Sequence, residues 1–218
     1  MTSSSVVWMT YRQEIRHLDS LATPAPWVSE GEWYGVHEEG LFMALGFAPH
    51  RPLDSRLIAV YRSAVIRLLE AVDAVERLAL RASANTSVPA AIGIHQVLTI
   101  LDATEGEGTP FRSGLVELDL KTTPPLWDPG HLVLGLGFAP ELRSPGIATP
   151  KLGDAPLIAV SRIAVPRALE LLALTEQNIA QHALADGRLR SDGVAAIVSA
   201  VVAFDAHSAS EGSGTGTV

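Results

Sequence analysis

The chain repeats itself. Asp54-Ser-Arg-Leu-Ile-Ala-Val-Tyr-Arg62 returns as Asp154-Ala-Pro-Leu-Ile-Ala-Val-Ser-Arg162, and Leu45-Gly-Phe-Ala-Pro49 returns as Leu136-Gly-Phe-Ala-Pro140. Thr23, Pro24 and Trp27 match Thr123, Pro124 and Trp127. Arg12, Leu18 and Asp19 match Arg112, Leu118 and Asp119. Residues 12–73 thus recur at 112–173. A period of about a hundred residues is too long for a solenoid unit. It points instead to two related halves packed as a pseudo-dimer, each too small to bury its own apolar faces well. We expect an N-terminal helical repeat over 1–104 and a C-terminal one over 105–207, related by a pseudo-two-fold axis. The Gly/Ser/Thr-rich stretch 208–218 reads as a disordered tail.

The local signals are helical in both halves, and the expected class is all-α with about four helices per half. From Leu57 onward, apolar residues at Leu57, Ile58, Tyr61, Val65, Leu68, Leu69 and Val72 fall at helical spacing. This long helix is expected to start from Asp54 as its N-cap and to run to about residue 82. Its partner starts from Asp154, and Pro166 should kink it or delay its regular start. Ser87, Val88 and Pro89 open a helix to about Ala103, and Ser191 and Asp192 open its counterpart to about Ala206. Earlier helices fit 6–21, with Val7, Tyr11, Ile15 and Leu18 on one face, and 110–121, with Phe111, Leu115 and Leu118. Val116 to Lys121 also alternates like a strand, but its counterpart reads helical. Short helices complete each half. One follows a capping box of Ser29 and Glu32 and ends at Gly46. The other follows Asp128-Pro129 and ends at Gly137 and Pro140. The stretch Val28 to Glu39 is extra to the first half, and Glu141 to Gly153 is a longer loop in the second.

Composition narrows the function. The chain is 47% hydrophobic with a formal charge of −8, so it lacks the basic footprint of a nucleic-acid binder. It has no cysteine, which excludes disulfides, thiolate metal sites and cysteine nucleophiles. The first ten residues lack the pattern of a signal peptide, and Val194 to Phe204 is too short to span a bilayer. A cytoplasmic protein without membrane contact is the expectation. High apolar content with few charges predicts a homo-oligomer that hides helix faces between subunits.

Thr175-Glu-Gln-Asn178-Ile-Ala-Gln-His182, then Ala183 and Gly187, then Val194-Ala-Ala-Ile197 to Phe204-Asp205, form one further pattern. It resembles the alkylhydroperoxidase D-like and carboxymuconolactone decarboxylase superfamily, whose signature helix carries Cys-x-x-Cys-x-x-x-His before a glycine turn and an Ile/Ala-rich helix. The histidine fits. Thr175 and Asn178 stand where that family has cysteines, and the turn is about three residues shorter. The first-half stretch Val75 to Ala82 has no histidine. The resemblance covers about residues 131–207 directly and implies an all-helical, oligomeric fold. It does not imply peroxidase activity, which needs a thiolate. It leaves open an acid–base reaction of the decarboxylase or isomerase type.

His182 is the foremost catalytic candidate, as a general acid or base near neutral pH. The competing reading is a structural histidine at a helix end. Arg62 and Arg162 lie beside the apolar stripe of the long helices, where a pseudo-two-fold can bring them together on a small anion. Alternatively, each pairs with a carboxylate of a neighbouring helix. Thr175 and Asn178 join them as candidate ligand contacts. Glu14 and His17 have the Glu-x-x-His spacing of di-metal bundles, but Gly114 and Glu117 replace them in the duplicate, so a solvated face is expected. His37, Glu38 and Glu39 with Glu30 and Glu32 form an acidic cluster with two readings, a site for a divalent metal or a substrate and a solvated first turn, of which the second is expected. Asp128 and His131 are spaced as an acid–base pair, though Asp128 is explained as a cap. His95 reads as a hydrogen-bonded core residue, and Trp27 and Trp127 as anchors of inter-helix loops. No metal or cofactor site and no phosphate loop or nucleophile elbow is evident. The leading expectation is a non-redox helical protein acting by ligand binding or by assembly through apolar helix faces. The alternative is a small-molecule enzyme using His182 with Arg162.

Overall fold

The computed structural model describes residues 9–30, 33–38, 41–47, 53–103, 109–122, 151 and 153–206. Six helices dominate them: α1 (Tyr11–Leu21), α2 (Asp54–Ala84), α3 (Ala90–Asp102), α4 (Phe111–Leu120), α5 (Asp154–His182) and α6 (Ser191–Asp205). The helical class expected from the sequence is therefore found. Each half runs medium, long, medium. Val7, Trp127, Asp128, His131, the short helix expected after Pro129 and the tail expected over 208–218 lie outside the described residues.

The stretch 28–47 departs from expectation. It forms a three-stranded antiparallel sheet of β1 (Val28–Glu30), β2 (Trp33–Glu38) and β3 (Leu41–Phe47), in the order β1-β2-β3. Val28 faces Gly35 across β1 and β2, His37 faces Phe42 across β2 and β3, and a bulge falls at Tyr34/Gly35. The helix expected between Ser29 and Gly46 is thus replaced. Four glycines, Gly31, Gly35, Gly40 and Gly46, each penalise a helix by about 1 kcal/mol relative to alanine. Trp33, Tyr34, Val36 and Phe42 favour a pleated surface.

Capping also differs from expectation. Asp54 and Asp154 are not N-caps. Leu53 and Gly153 hold that position, and neither makes a side-chain cap bond. The Asp154 carboxylate is instead taken up by the Thr23 backbone N–H at 2.5 Å, the Thr23 hydroxyl at 2.8 Å and the Lys151 N–H at 2.7 Å. The first residue of α5 thereby grips the segment that follows α1 in the other half. At α1, Thr10 and Gln13 form the reciprocal capping box. Pro166 lies inside α5, which is already helical from Asp154, so the expected delayed start does not occur.

One hydrophobic cluster draws on both halves. α2 and α5 form its spine, with Leu57, Leu68, Val72, Leu157, Val165 and Leu172 essentially inaccessible. Each such side chain contributes about 1.5–3 kcal/mol when fully buried. The flanking helices bury matching positions: Ile15 in α1 and Leu115 in α4, Ile94 in α3 and Ile197 in α6, Leu98 and Val201, Leu101 and Phe204. Gly153 is fixed by this packing. A Cβ there would come within 2.6 Å of the Leu21 and Ala22 backbone.

Candidate functional site

The candidate site built from the repeated arginines lies where α2 and α5 cross. A cavity of about 10 Å³ opens there, lined by Leu57 with Leu157, Ile58 with Ile158, Tyr61 with Ser161, and Arg62 with Arg162. Every lining position of one helix is matched by the residue a hundred positions later on the other. This volume is about what one water needs and far below a substrate pocket.

The two arginines meet at this crossing, but their charges are engaged by carboxylates of neighbouring helices. Arg62 is 5% exposed, pairs through Nη1 with Asp19, and donates from Nε and Nη2 to the Thr23 carbonyl at 3.1 and 2.9 Å. Its guanidinium stands 5.7 Å from the centre of the Trp27 ring. Trp27 is buried and donates to the same Thr23 carbonyl at 3.1 Å, so it anchors the loop as expected. Arg162 is 2% exposed, pairs through Nη1 with Asp119, donates to the Thr122 hydroxyl at 3.3 Å, and lies 5.7 Å from the centre of the Tyr61 ring. Tyr61 Oη donates to the same Asp119 oxygen at 2.7 Å. Burial lowers the pKa of Arg162, against the raising influence of Tyr61 and Asp54. The guanidinium stays charged, because its ordinary value lies so far above neutrality. Burial also pushes the Tyr61 phenol up to about 12, against the lowering influence of Arg162. The arrangement clamps helices together and leaves little capacity for an added anion.

A second set of ion pairs follows the same register. Arg12 meets Asp73 at 2.6 Å, Glu76 at 2.7 Å and Asp205 at 2.5 Å. Arg112 meets Asp102 at 2.5 Å and Glu176 at 3.2 Å. Glu76 and Glu176 are repeat partners, and Asp205 and Asp102 are the last residues of α6 and α3. Burial would raise Asp102, but hydrogen bonds from the Arg112 side chain and backbone, with its charge, hold it below the ordinary carboxylate range.

His182 lies elsewhere. It is the last residue of α5, and the helix places it about 30 Å from Arg162 at 1.5 Å per residue. The two therefore do not share a site, which removes the geometry of an acid–base enzyme with Arg162 as anion holder. His182 Nδ1 stands 3.3 Å from Asp192 Oδ1, yet makes no hydrogen bond of good geometry among the described residues. We read it as a close approach across the α5–α6 turn, because distance alone does not make a hydrogen bond. The His182 carbonyl accepts from Arg190 N–H at 3.0 Å, and Gly193 leaves no room for a Cβ beside the His182 side chain. Thr175 is buried and donates to the Leu171 carbonyl, while Asn178 donates to the Leu174 carbonyl. Both hydrogen bonds stay within α5.

The remaining candidates separate. Glu14 and His17 lie on the solvent side of α1, and His95 is exposed and not a core residue. His37 and Glu38 fall in β2 and Glu30 in β1, so the expected first turn of a helix is not there. No group of three or more metal-ligating side chains occurs among the described residues. No described helix is long and apolar enough to cross a membrane. Sequence reasoning missed Tyr61, Thr122 and Asp154 as members of the clamps. Asp19, Asp119 and Thr23 stood in the repeated set, which was the available signal. Comparisons with protein-family models, with curated proteins and with solved structures find no match for this chain.

Proposed function

We propose that this is a non-redox binding or assembly protein, made of two copies of one helical half about a pseudo-two-fold axis at the α2–α5 crossing. It works as a homo-oligomer through apolar side chains on its outer helices. The observation that carries this reading is the tightness of the α2–α5 crossing. The crossing that holds the repeated arginines has room for about one water, and both charges are engaged. Function is then left to the surface. There, Ile92 and Ile100 of α3 are 50% and 72% exposed, and Val116 and Leu120 of α4 are 47% and 78% exposed. Each pair lies along one helix face, at spacings of eight and four residues. The alkylhydroperoxidase D-like relationship enters only as a reading of the fold, supported by the order α5, glycine turn, α6 with His182 closing α5.

Light scattering at micromolar concentration tests the proposal. The expected mass is at least twice 23.1 kDa. Ile100→Glu and Leu120→Glu place a charge in the face and should shift the mass toward that of one chain. A single-chain mass for the unaltered protein at every concentration contradicts the proposal.

A further inference from the structure

The α2–α5 crossing is symmetric in its lining except at one pair of positions. On α2 the residue is Tyr61, whose ring lies by Arg162 and whose hydroxyl reaches Asp119 at 2.7 Å. On α5 the matching residue is Ser161. Its side chain stops at Oγ, one carbon from the backbone, and cannot reach across the crossing as tyrosine does. Ser161 is 1% exposed, and its Oγ has no hydrogen-bond partner among the described residues. It does not even donate to the carbonyl one turn back, the common recourse of a helical serine. A buried hydroxyl without a partner is costly, and native structures rarely leave one so. The cavity it lines measures about 10 Å³, at the lower limit for one water. Tyr61, Arg62 and Arg162 line the same space, whose surface is otherwise mainly apolar.

We propose that this cavity is the binding site of a single buried water molecule, hydrogen-bonded to Ser161 Oγ, which takes in one half the place that the Tyr61 hydroxyl takes in the other. Two independent observations carry the assignment: the water-sized space and the buried hydroxyl of a residue that lines it. Neither depends on the assembly reading. The water is part of the clamp, since both arginines line its site. Leu57, Ile58, Leu157 and Ile158 supply its apolar walls.

Ser161→Ala tests this by the sign of its effect. Alanine is the better helix former, and it removes a hydroxyl that is a burden if nothing meets it. Without the water, the variant melts at the same temperature as the parent or higher. With the water, it loses a satisfied hydrogen bond, and Tm falls by about 2–4 °C for a chain of this size. A high-resolution crystal structure of the unaltered protein should show an ordered water within hydrogen-bond distance of Ser161 Oγ. An unchanged or raised Tm overturns the assignment. So does a cavity without ordered water, even if Tm falls.

Discussion

Asp119 accepts from two donors at one oxygen, Tyr61 Oη and Arg162 Nη1. Arg162→Ala removes the only cation of that set and strands the part-buried carboxylate. We expect it to cost about 3 kcal/mol in denaturant melts, as for other broken buried pairs. Arg167→Ala should cost less than about 1 kcal/mol as a change near the surface. Equal small losses would contradict the Arg162–Asp119 clamp. Tyr61 gives a pH test. Burial raises its folded pKa from 10.0 to about 12. A raised pKa means that the neutral phenol stabilises the fold fully below pH 10, and that this contribution is lost as pH rises from 10 toward 12. Tyr11 is raised by burial as well, so the informative comparison is Tyr61→Phe, which should flatten the loss in that window. An identical alkaline slope would contradict the buried, neutral assignment. At this scale the sequence exposed the arginines through their repetition and their place beside the apolar stripe. It left two readings of them open, because pairing partners more than forty residues away leave no local signal. Asp154 was misjudged for the same reason. An aspartate before a helix reads as a cap until Thr23 is brought to it by the fold.

The helices were legible because their signals are local. α3 and α6 begin and end within a few residues of expectation, and the periodicity of α2 matches the side chains that it buries. The sheet over 28–47 was hidden by helix-end signals, a capping box at Ser29 and Glu32 and a glycine stop at Gly46, which outweighed four glycines and a run of aromatic residues. The junction of α1 and α5 yields a prediction of its own. Gly153 N–H donates to the Leu21 carbonyl at 3.3 Å, with no room for a Cβ against that backbone. Gly153→Ala forces backbone apart and should cost about 2 kcal/mol or more, measured by denaturant melts. A loss below about 0.5 kcal/mol would mean that the helices are not held so closely there.

At the scale of the molecule, we propose that the long-period repeat and the matched crossing express one homodimer-like packing within a single chain. Its candidate site was only partly legible. The sequence placed Arg62 and Arg162 together but also offered His182, which the length of α5 carries away from them. Periodicity gives the face of a helix and not the distance along it that two side chains must bridge. A two-fold relation makes a strict demand on cross-half distances: that from α1 to the far end of α5 must equal that from α4 to the far end of α2. The chain has no cysteine, so two can be introduced for spin labels without interference. Gln13 with Ala180, and Ser113 with Leu80, are exposed repeat-matched pairs. Pulsed electron spin resonance on the two doubly labelled proteins should give overlapping distance distributions. Distributions with separate maxima would contradict the two-fold packing of the halves.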